Sequence, residues 1–382
     1  MKHRIVLTGG GTGGHVYPAL SVYEQLKNDP DVEAILYIGA KGHLEERLAA
    51  ERQIDFVGLN SVGLPRKLSL AMLIWPFKMF GAFSAAVVAF NKFRPTVVLG
   101  TGGYASAPPL FAAKAAGYPL AVHEPDAHPG LVNRTLAPYA NLCSLGMAGA
   151  ATKLKCTRGE IAVNGNPIAD RFLHPPAQAE ARAQFGLRAD LQTLLITGGS
   201  QGAQAINSTV LSALPQLLAL KPEIQVLHQV GEKNFADFER SLKQSGDIDR
   251  YVIKPYINDL AVAYAACDLT VCRAGAMTIA ELGVSGTPAI FIPFPFAAQN
   301  HQAHNARFVE SKGAAVVIMQ NELTPELLVK TVESLLCDKT RLDGMRQAMR
   351  SLGRPDAASQ LAKQIKQLSA DFLKGFSGGA TN

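Results

Sequence analysis

The chain has 382 residues, a formal net charge of +6 and 48% apolar residues, with glycine and proline too sparse for a disordered or fibrous chain. That length and composition suit a soluble globular protein of two domains. Its five cysteines, Cys143, Cys156, Cys267, Cys272 and Cys337, contain no Cys-x-x-Cys and read as reduced cytosolic thiols.

The opening, "MKHRIVLTGG", has an apolar run, Ile5–Leu7, too short for a signal peptide. From there short apolar runs alternate with helical patterns, the signature of βαβ units and parallel sheets. Strands are expected at Arg4–Thr8, Ala34–Ile38, Thr96–Leu99 and Leu120–His123, then at Thr193–Thr197, Gln225–Gln229, Tyr251–Lys254, Leu269–Cys272, Ala289–Ile292 and Ala315–Ile318. On that last group Cys267 and Cys272 read as core thiols. Thr8 runs into "GGGTGGH", Leu99 into "GTGGYAS" and Thr197 into "GGSQGAQ". The third restarts the strand–loop–helix pattern near mid-chain, so the fold class is α/β with two Rossmann-like, doubly wound parallel-sheet domains. The linker is expected within "NGNPIADRFLHPP", Asn164 to Pro176, and a central cleft is expected to face the C-terminal ends of both sheets.

Between the second and third of the early strands lies "LSLAMLIWPFKMFGAFSAAVVAF", Leu68 to Phe90, nearly long enough to span a bilayer. Lys78 would sit near mid-membrane at roughly 2.5–3.5 kcal/mol on the insertion scale, which argues against a span. No acidic residue occurs between Asp55 and Glu124, whereas Arg66, Lys67, Lys78, Lys92, Arg94 and Lys114 do. Trp75, Phe77, Met79 and Phe80 beside the first bases suit docking on an anionic membrane surface; an ordinary core helix with a basic rim fits the pattern equally.

A glycine loop between strand and helix lets a ligand approach the backbone and aims free N–H groups and the helix dipole at an anion. Three such loops make phosphate cradles the stronger reading. Gly9, Gly11 and Gly14 satisfy G-x-G-x-x-G, but the next strand ends in Gly39-Ala40 without the acid that would hold an NAD ribose, and no Gly-Lys-Ser/Thr follows any loop. Two Asp-x-Asp sequences, Asp29–Asp31 and Asp247–Asp249, precede strands rather than follow them and read as solvated loop acids, so no metal site is expected. His15 opens the first helix, with Pro18 expected in its first turn. The dipole keeps its ring neutral, and a neutral imidazole beside a diphosphate cradle can act as a general base; position alone equally allows a histidine bonded to its own loop.

The motifs "GGGTGGHVYPAL", "LGTGGYASAP", "HEPDAHPGLVNR", "GNP", "TGGSQGAQAIN", "CRAGAMTIAEL" and "PFPFAAQNHQAHNA" occur in this order. The set resembles the bacterial N-acetylglucosaminyltransferases that convert lipid I to lipid II in peptidoglycan synthesis, from about Arg4 to the "RPDAASQLA" helix. The resemblance implies a GT-B fold, an acceptor domain of residues 1–165 plus 355–374 and a donor domain of 166–352. It implies inverting transfer of N-acetylglucosamine from UDP-GlcNAc to the muramyl 4-hydroxyl of lipid I, no cofactor, no nucleic-acid partner, and a peripheral place on the cytoplasmic face of the cell membrane.

The resemblance also assigns roles. Ser200, Gln201 and Gly202 would bind the UDP phosphates, Ile257 would offer backbone groups to uracil, and Ala276, Met277, Thr278, Ile279, Ala280 and Glu281 would line the nucleotide, with Glu281 on the ribose hydroxyls. Gln302, with His301 and Asn300 nearby, would read the sugar hydroxyls, and Arg273 would offset charge on the departing UDP. Thr12, Gly13 and Gly14 would also reach the donor. Gly9, Gly10 and Gly11 with Gly102 and Gly103 would cradle the lipid I diphosphate. His15 would take the proton, and Glu124 would orient the hydroxyl or serve as a second base. Trp75, Phe77, Lys78 and Phe80 would touch the membrane. Four positions depart from the family pattern: Pro125 and Asp126 stand where two amides are usual, Ala169 replaces an Arg that Arg171 would substitute, and Gln299 replaces an Asp. A carboxylate beside a diphosphate is unfavourable, which passes that contact to Asn133. The same fold could serve a transferase acting on diacylglycerol or another lipid, and an NAD-dependent enzyme or a non-catalytic nucleotide binder are the readings from other classes.

Overall fold

The structure, a computed structural model, describes residues 2–63, 70–199, 201–243 and 249–378. The chain forms two compact units, Met1–Ala169 with Arg354–Asn382, and Asp170–Gly353.

In the first unit the elements run β1 (His3–Thr8), α1 (Gly13–Leu26), β2 (Val32–Ala40), α2 (Leu44–Glu51), β3 (Asp55–Leu59), α3 (Leu70–Phe93), β4 (Val97–Gly100), α4 (Ala107–Ala116), β5 (Leu120–Glu124), α5 (Leu131–Leu136), β6 (Leu142–Leu145) and β7 (Glu160–Ala162). The strands form one parallel sheet in the order β3-β2-β1-β4-β5-β6-β7. Both faces are covered, so the strands read as continuous apolar runs, and alternation along β1 splits the core. Ile5 and Leu7 pack with Val16 and Leu20 of α1, while Val6 packs with Ala86 and Phe90 of α3.

The second unit runs α6 (Gln178–Gln184), β8 (Gln192–Thr197), α7 (Gln204–Leu218), β9 (Ile224–Gln229), α8 (Glu232–Leu242), β10 (Tyr251–Lys254), α9 (Leu260–Ala266), β11 (Leu269–Cys272), α10 (Ala276–Ser285), β12 (Ala289–Phe291), α11 (His301–Glu310), β13 (Ala315–Val317), α12 (Pro325–Leu336) and α13 (Lys339–Leu352). Its parallel sheet has the order β10-β9-β8-β11-β12-β13. The chain then returns to the first unit as α14 (Ala357–Gly378), whose Leu361 and Ile365 complete the core beneath α1. Lys366 of α14 pairs with Asp29 at 2.6 Å and Asp31 at 3.3 Å, so the first Asp-x-Asp is a structural clasp. Asp247 of the second lies outside the described residues.

In each sheet the winding reverses once, between β1 and β4 and between β8 and β11. Open parallel sheets bind ligands beyond the strand C-termini at such a switch point. The loops after Thr8 and Gly100, which face each other across the register, fall at the first. The loops after Thr197 and Cys272 fall at the second.

Strands β3, β6 and β7 extend the first sheet beyond the expected ones. Helix α1 begins at Gly13, so Pro18 sits in its second turn rather than its first. Lacking an N–H, Pro18 leaves the Gly14 carbonyl without its intrahelical donor.

Helix α3 combines the two environments that the sequence left open. Its second half is core, with Ala82, Ala86, Ala89 and Phe90 buried against the sheet. Because α3 leads into the start of β4, it runs antiparallel to the strands, and its first half lies towards the edge that carries the glycine loops. There Leu73, Phe77 and Phe80 are 70%, 78% and 70% exposed. By length and composition the helix from Met72 could cross a membrane. The most exposed part, residues 72–80, covers only about 14 Å of a hydrocarbon core of about 30 Å, and the second half packs Ala82, Ala86, Ala89 and Phe90 on the sheet. Trp75 is a correction to the expected membrane contacts: it is half-buried and its indole N–H donates to the Val62 carbonyl at 3.1 Å, which fixes it to the loop after β3. Lys78 is exposed, and Arg66 and Lys67 lie outside the described residues.

One buried ion pair anchors the second unit. The Arg182 guanidinium donates to Asp268 at 2.7 Å and to the carbonyls of Ala266 and Ala189, and Asp268 also accepts from the Thr193 N–H. Removing one member leaves a buried charge without its counter-ion. Arg182→Met is expected to lower stability by about 3 kcal/mol or more, measured by urea denaturation.

Candidate active site

At the first switch point the two glycine loops clasp each other. The Gly10 N–H donates to the Gly102 carbonyl at 3.3 Å, and the Thr101 N–H to the Thr8 carbonyl at 2.8 Å. Gly103 has φ of +80°, and a Cβ there would run into the Gly10 carbonyl oxygen. The close approach of backbone to backbone therefore requires glycine. Gly9 is fixed through its carbonyl, which accepts from the buried Tyr37 hydroxyl at 2.7 Å. The Gly10 N–H is thus spent within the clasp, a correction to its expected place in a diphosphate cradle. Thr12 caps α1, and the first-turn N–H groups of Gly13 and Gly14 have no intrahelical acceptor, the anion-accepting feature of a helix N-terminus.

His15 stands third in α1, half-buried, with Nδ1 3.1 Å from the Thr101 carbonyl oxygen. A carbonyl only accepts, so Nδ1 carries the hydrogen, and in the neutral form of the ring the lone pair lies on Nε2. That tautomer is the one a general base needs. Gly102 makes the contact possible, since a Cβ there would meet His15 Nδ1 at 2.7 Å.

Glu124, at the end of β5, is 1% exposed. Its carboxyl accepts from the N–H of Asp126 at 3.0 Å, the N–H of Gly130 at 2.9 Å and the Asn133 amide at 2.8 Å. Burial and the neighbouring Asp126 push its pKa up to about 7 against these donors. Glu124 therefore braces the 124–133 loop, a correction to the expected direct role on the acceptor hydroxyl. Asn133 is corrected likewise. Both hydrogens of its amide are used, on the His123 carbonyl and on Glu124, and its buried Oδ1 has no hydrogen-bond partner. What it offers is an acceptor, which suits an O–H or N–H group and not a phosphate. Buried His123 is held neutral between Ser144 and Asn166, its pKa lowered to about 4 by burial.

At the second switch point the loop Gly198–Gly202 follows β8; Ser200 lies outside the described residues. Gln201 is exposed, and Gly202, with φ of +71°, packs on the Val230 carbonyl. Gln229, buried at the end of β9, ties this loop to the next connection: its amide donates to the Gly199 carbonyl at 2.9 Å and accepts from the Ile257 N–H at 2.9 Å. The Ile257 N–H is thus engaged within the protein, which corrects the expectation that it faces a base; the carbonyl is the group left to that role. Gln229 escaped the sequence reading, although a glutamine at the end of the run "IQVLHQ" signals a buried polar tie.

Helix α10 follows β11 through Arg273, Ala274 and Gly275. Ala276 and Ile279 turn into the core, while Met277, Thr278, Ala280 and Glu281 are half-buried. Glu281 accepts from the Tyr264 hydroxyl at 3.4 Å; burial raises its pKa to about 8, opposed by Arg171. Arg273 donates through Nη1 to the carbonyls of Ile292 (2.9 Å) and Pro293 (3.2 Å) and through Nη2 to Gln320 Oε1 (2.7 Å). Gln302, near the start of α11, accepts from the Phe294 N–H at 2.9 Å. The turn before it holds Gln299 and Asn300 in succession at φ of 51° and 54°. Two adjacent non-glycine residues in the left-handed region mark a strained turn of the kind found at ligand sites. Among the described residues no group of three or more His, Cys, Asp or Glu could hold a metal ion.

Two doubly wound parallel-sheet units, each with glycine loops at its switch point, form the GT-B architecture of a glycosyltransferase. Residues 5–143 match the glycosyltransferase family 28 N-terminal domain and residues 193–361 its C-terminal domain. The chain is 39% identical, over 97% of its length and 100% of the relative's, to the UDP-N-acetylglucosamine–N-acetylmuramyl-(pentapeptide) pyrophosphoryl-undecaprenol N-acetylglucosamine transferase of Halothermothrix orenii. It is 40% identical to the protein of that name from Desulfitobacterium hafniense, over 94% of this chain and 98% of the relative. The crystal structure of MurG from Acinetobacter baumannii superposes with a TM-score of 0.77 at 28% identity, covering 96% of this chain and 100% of that one. The chain belongs to this family of N-acetylglucosaminyltransferases.

The raised pKa of Glu281 has a consequence for stability. Between pH 5 and 8 the folded, ligand-free protein holds a proton there that the unfolded chain releases, so stability falls as pH rises through this window. Glu281→Gln is expected to flatten that slope, leaving the smaller part due to Glu124, while weakening UDP-GlcNAc binding; denaturation at pH 5.5 and 8 and calorimetric titration check the two effects.

Proposed function

We propose that the chain transfers N-acetylglucosamine from UDP-GlcNAc to the 4-hydroxyl of the muramyl sugar of undecaprenyl-pyrophosphoryl-MurNAc-pentapeptide, lipid I, with inversion at the sugar carbon. The observation that carries this reading is the His15–Thr101 hydrogen bond, which sets the ring lone pair on Nε2 at the N-terminus of α1, between two glycine loops. His15 Nε2 takes the proton of the acceptor hydroxyl. The oxygen then attacks the anomeric carbon from the face opposite the diphosphate, and the carbon–oxygen bond to UDP breaks with its electron pair leaving on UDP. The first unit holds the acceptor, with Gly11, Thr12, Gly13, Gly14 and Gly103 offering backbone to the diphosphate.

The second unit holds the donor. The Gly198–Gly202 loop and the N-terminus of α10 receive the UDP phosphates, Ile257 offers its carbonyl to uracil, and Glu281 takes the ribose hydroxyls. Gln302 reads the sugar, and Arg273 offsets the charge on leaving UDP. The exposed first half of α3 docks on an anionic membrane surface, with Leu73, Phe77 and Phe80 entering the interface and Lys78 at the headgroups. That surface is the cytoplasmic face of the cell membrane, where a lipid-linked acceptor is reached without leaving the bilayer.

His15→Ala is expected to fold, to keep UDP-GlcNAc affinity and to lose about 10²- to 10⁴-fold in transfer to lipid I, the range of general-base catalysis; near-normal turnover would exclude His15 as the base. Diacylglycerol offered beside lipid I tests the acceptor, and faster transfer to it would overturn the lipid I reading. Changing Leu73, Phe77 and Phe80 together to Ser is expected to lower sedimentation with anionic vesicles while UDP affinity holds; unchanged vesicle binding would place the docking surface elsewhere.

A further inference from the structure

Like Arg250, whose hydrogen bonds go to the carbonyls of Ile224 and Leu218, Arg273 differs from the ion-paired arginines of its unit. Arg182 is paired with Asp268 and Arg346 with Asp343. Around Arg273, among the described residues, every hydrogen-bond acceptor is neutral: two carbonyls that close β12, and the amide oxygen of Gln320, which follows β13. The ring of Phe294 lies 5.4 Å from the guanidinium carbon. Burial lowers the pKa of Arg273 to about 10, which leaves it charged at cell pH. Three neutral acceptors thus fix the guanidinium in position without cancelling its field.

We propose that Gln320 is a positioning residue for the transfer reaction: it holds the Arg273 guanidinium through a neutral acceptor, so that the full positive charge faces the diphosphate as the bond to the sugar breaks. The proposal rests on the reading of the second unit as the sugar-nucleotide site. A glutamate at 320 would keep the shape and the hydrogen bond but compensate the charge, and a preorganised charge acts on a transition state only if it is not already spent. A half-buried glutamine stands here where a glutamate would anchor Arg273 equally well as an ion pair.

The titratable groups on the elements around this frame are few. Cys272 precedes Arg273, its thiol pushed up by burial. Glu281 on α10 lies under the influence of Arg171. On the α11 side stand His301, His304 and Glu310, the last held by Arg307 and the Val317 N–H, and Glu322 is exposed two residues beyond Gln320.

The test uses the full chain with UDP-GlcNAc and lipid I, comparing wild type, Gln320→Glu and Gln320→Met from pH 5.5 to 8.5. Gln320→Glu is expected to melt near wild type and, at pH 8, to lose roughly tenfold or more in kcat with little change in KM for UDP-GlcNAc. The deficit should persist across the range, because the adjacent guanidinium holds the carboxyl ionised. Gln320→Met, which removes the acceptor, should also lower kcat and leave KM for UDP-GlcNAc little changed. Wild-type kcat in Gln320→Glu across the range, or a loss that falls on KM and not on kcat, overturns the proposal. Should Gln320→Glu fail to fold, wild-type kcat in Gln320→Met overturns it. A wild-type chain that does not turn over UDP-GlcNAc overturns the sugar-nucleotide reading, and this proposal with it.

Discussion

The hydrogen bond between the His15 ring and the Thr101 carbonyl sets the chemistry of the first unit, and it depends on what is missing beside it. A side chain at Gly102 would occupy the space of the imidazole, and one at Gly103 would push away the Gly10 carbonyl. The strand order supplies the rest. Because β1 and β4 are neighbours although five elements of chain lie between them, the loop that carries His15 and the loop that carries its acceptor leave the sheet side by side. Topology brings the two loops together, glycine lets them touch, and the contact selects the tautomer.

Charge is handled differently in the two units. In the first, a carboxyl is buried for structural use: Glu124 gathers three donors of its own loop, and the adjacent Asp126 works against its ionisation. Asp126 stands where the family usually has an amide, yet the bond it makes to Glu124 uses its backbone N–H, which any residue could supply. The substitution therefore leaves that backbone hydrogen bond of the brace intact, while its charge raises the pKa of Glu124. In the second unit the cation is the enclosed group, and its acceptors are neutral. Both arrangements keep a charged group in place at a cost in solvation, which fits sites built for binding rather than stability.

The sequence showed the strands wherever an apolar run was long enough to be buried on both faces. Strands β3, β6 and β7 were not legible because "DFVGL", "LCSL" and "EIA" are short or interrupted by polar residues and glycine; their pairing with a formed sheet makes them strands, and no local pattern encodes it. At the site, the backbone features were readable, because glycine loops and helix starts have local signatures. Side-chain partnerships were not. Whether Asn133 presents an amide hydrogen or an oxygen, whether the Ile257 N–H is open, and what holds Arg273 are decided by Glu124, Gln229 and Gln320, each remote in sequence from the group it engages.

Helix α3 shows why composition alone left two readings open. A helix apolar on all sides is either buried or in contact with something apolar, and α3 is predominantly apolar, with Lys78 and Lys92 its charged residues. Its second half meets that demand inside the protein. Its first half runs on towards the strand C-termini with Leu73, Phe77 and Phe80 in solvent, while Trp75 bonds the loop after β3 and so keeps the exposed turns rigidly continuous with the sheet. Gly63, which follows Val62 in that loop, approaches Tyr104, which in turn packs on Gly11. The apolar surface is therefore joined to the glycine loop by direct packing within one unit. An acceptor whose lipid end stays in a membrane and whose diphosphate must reach that loop needs this fixed distance between the two.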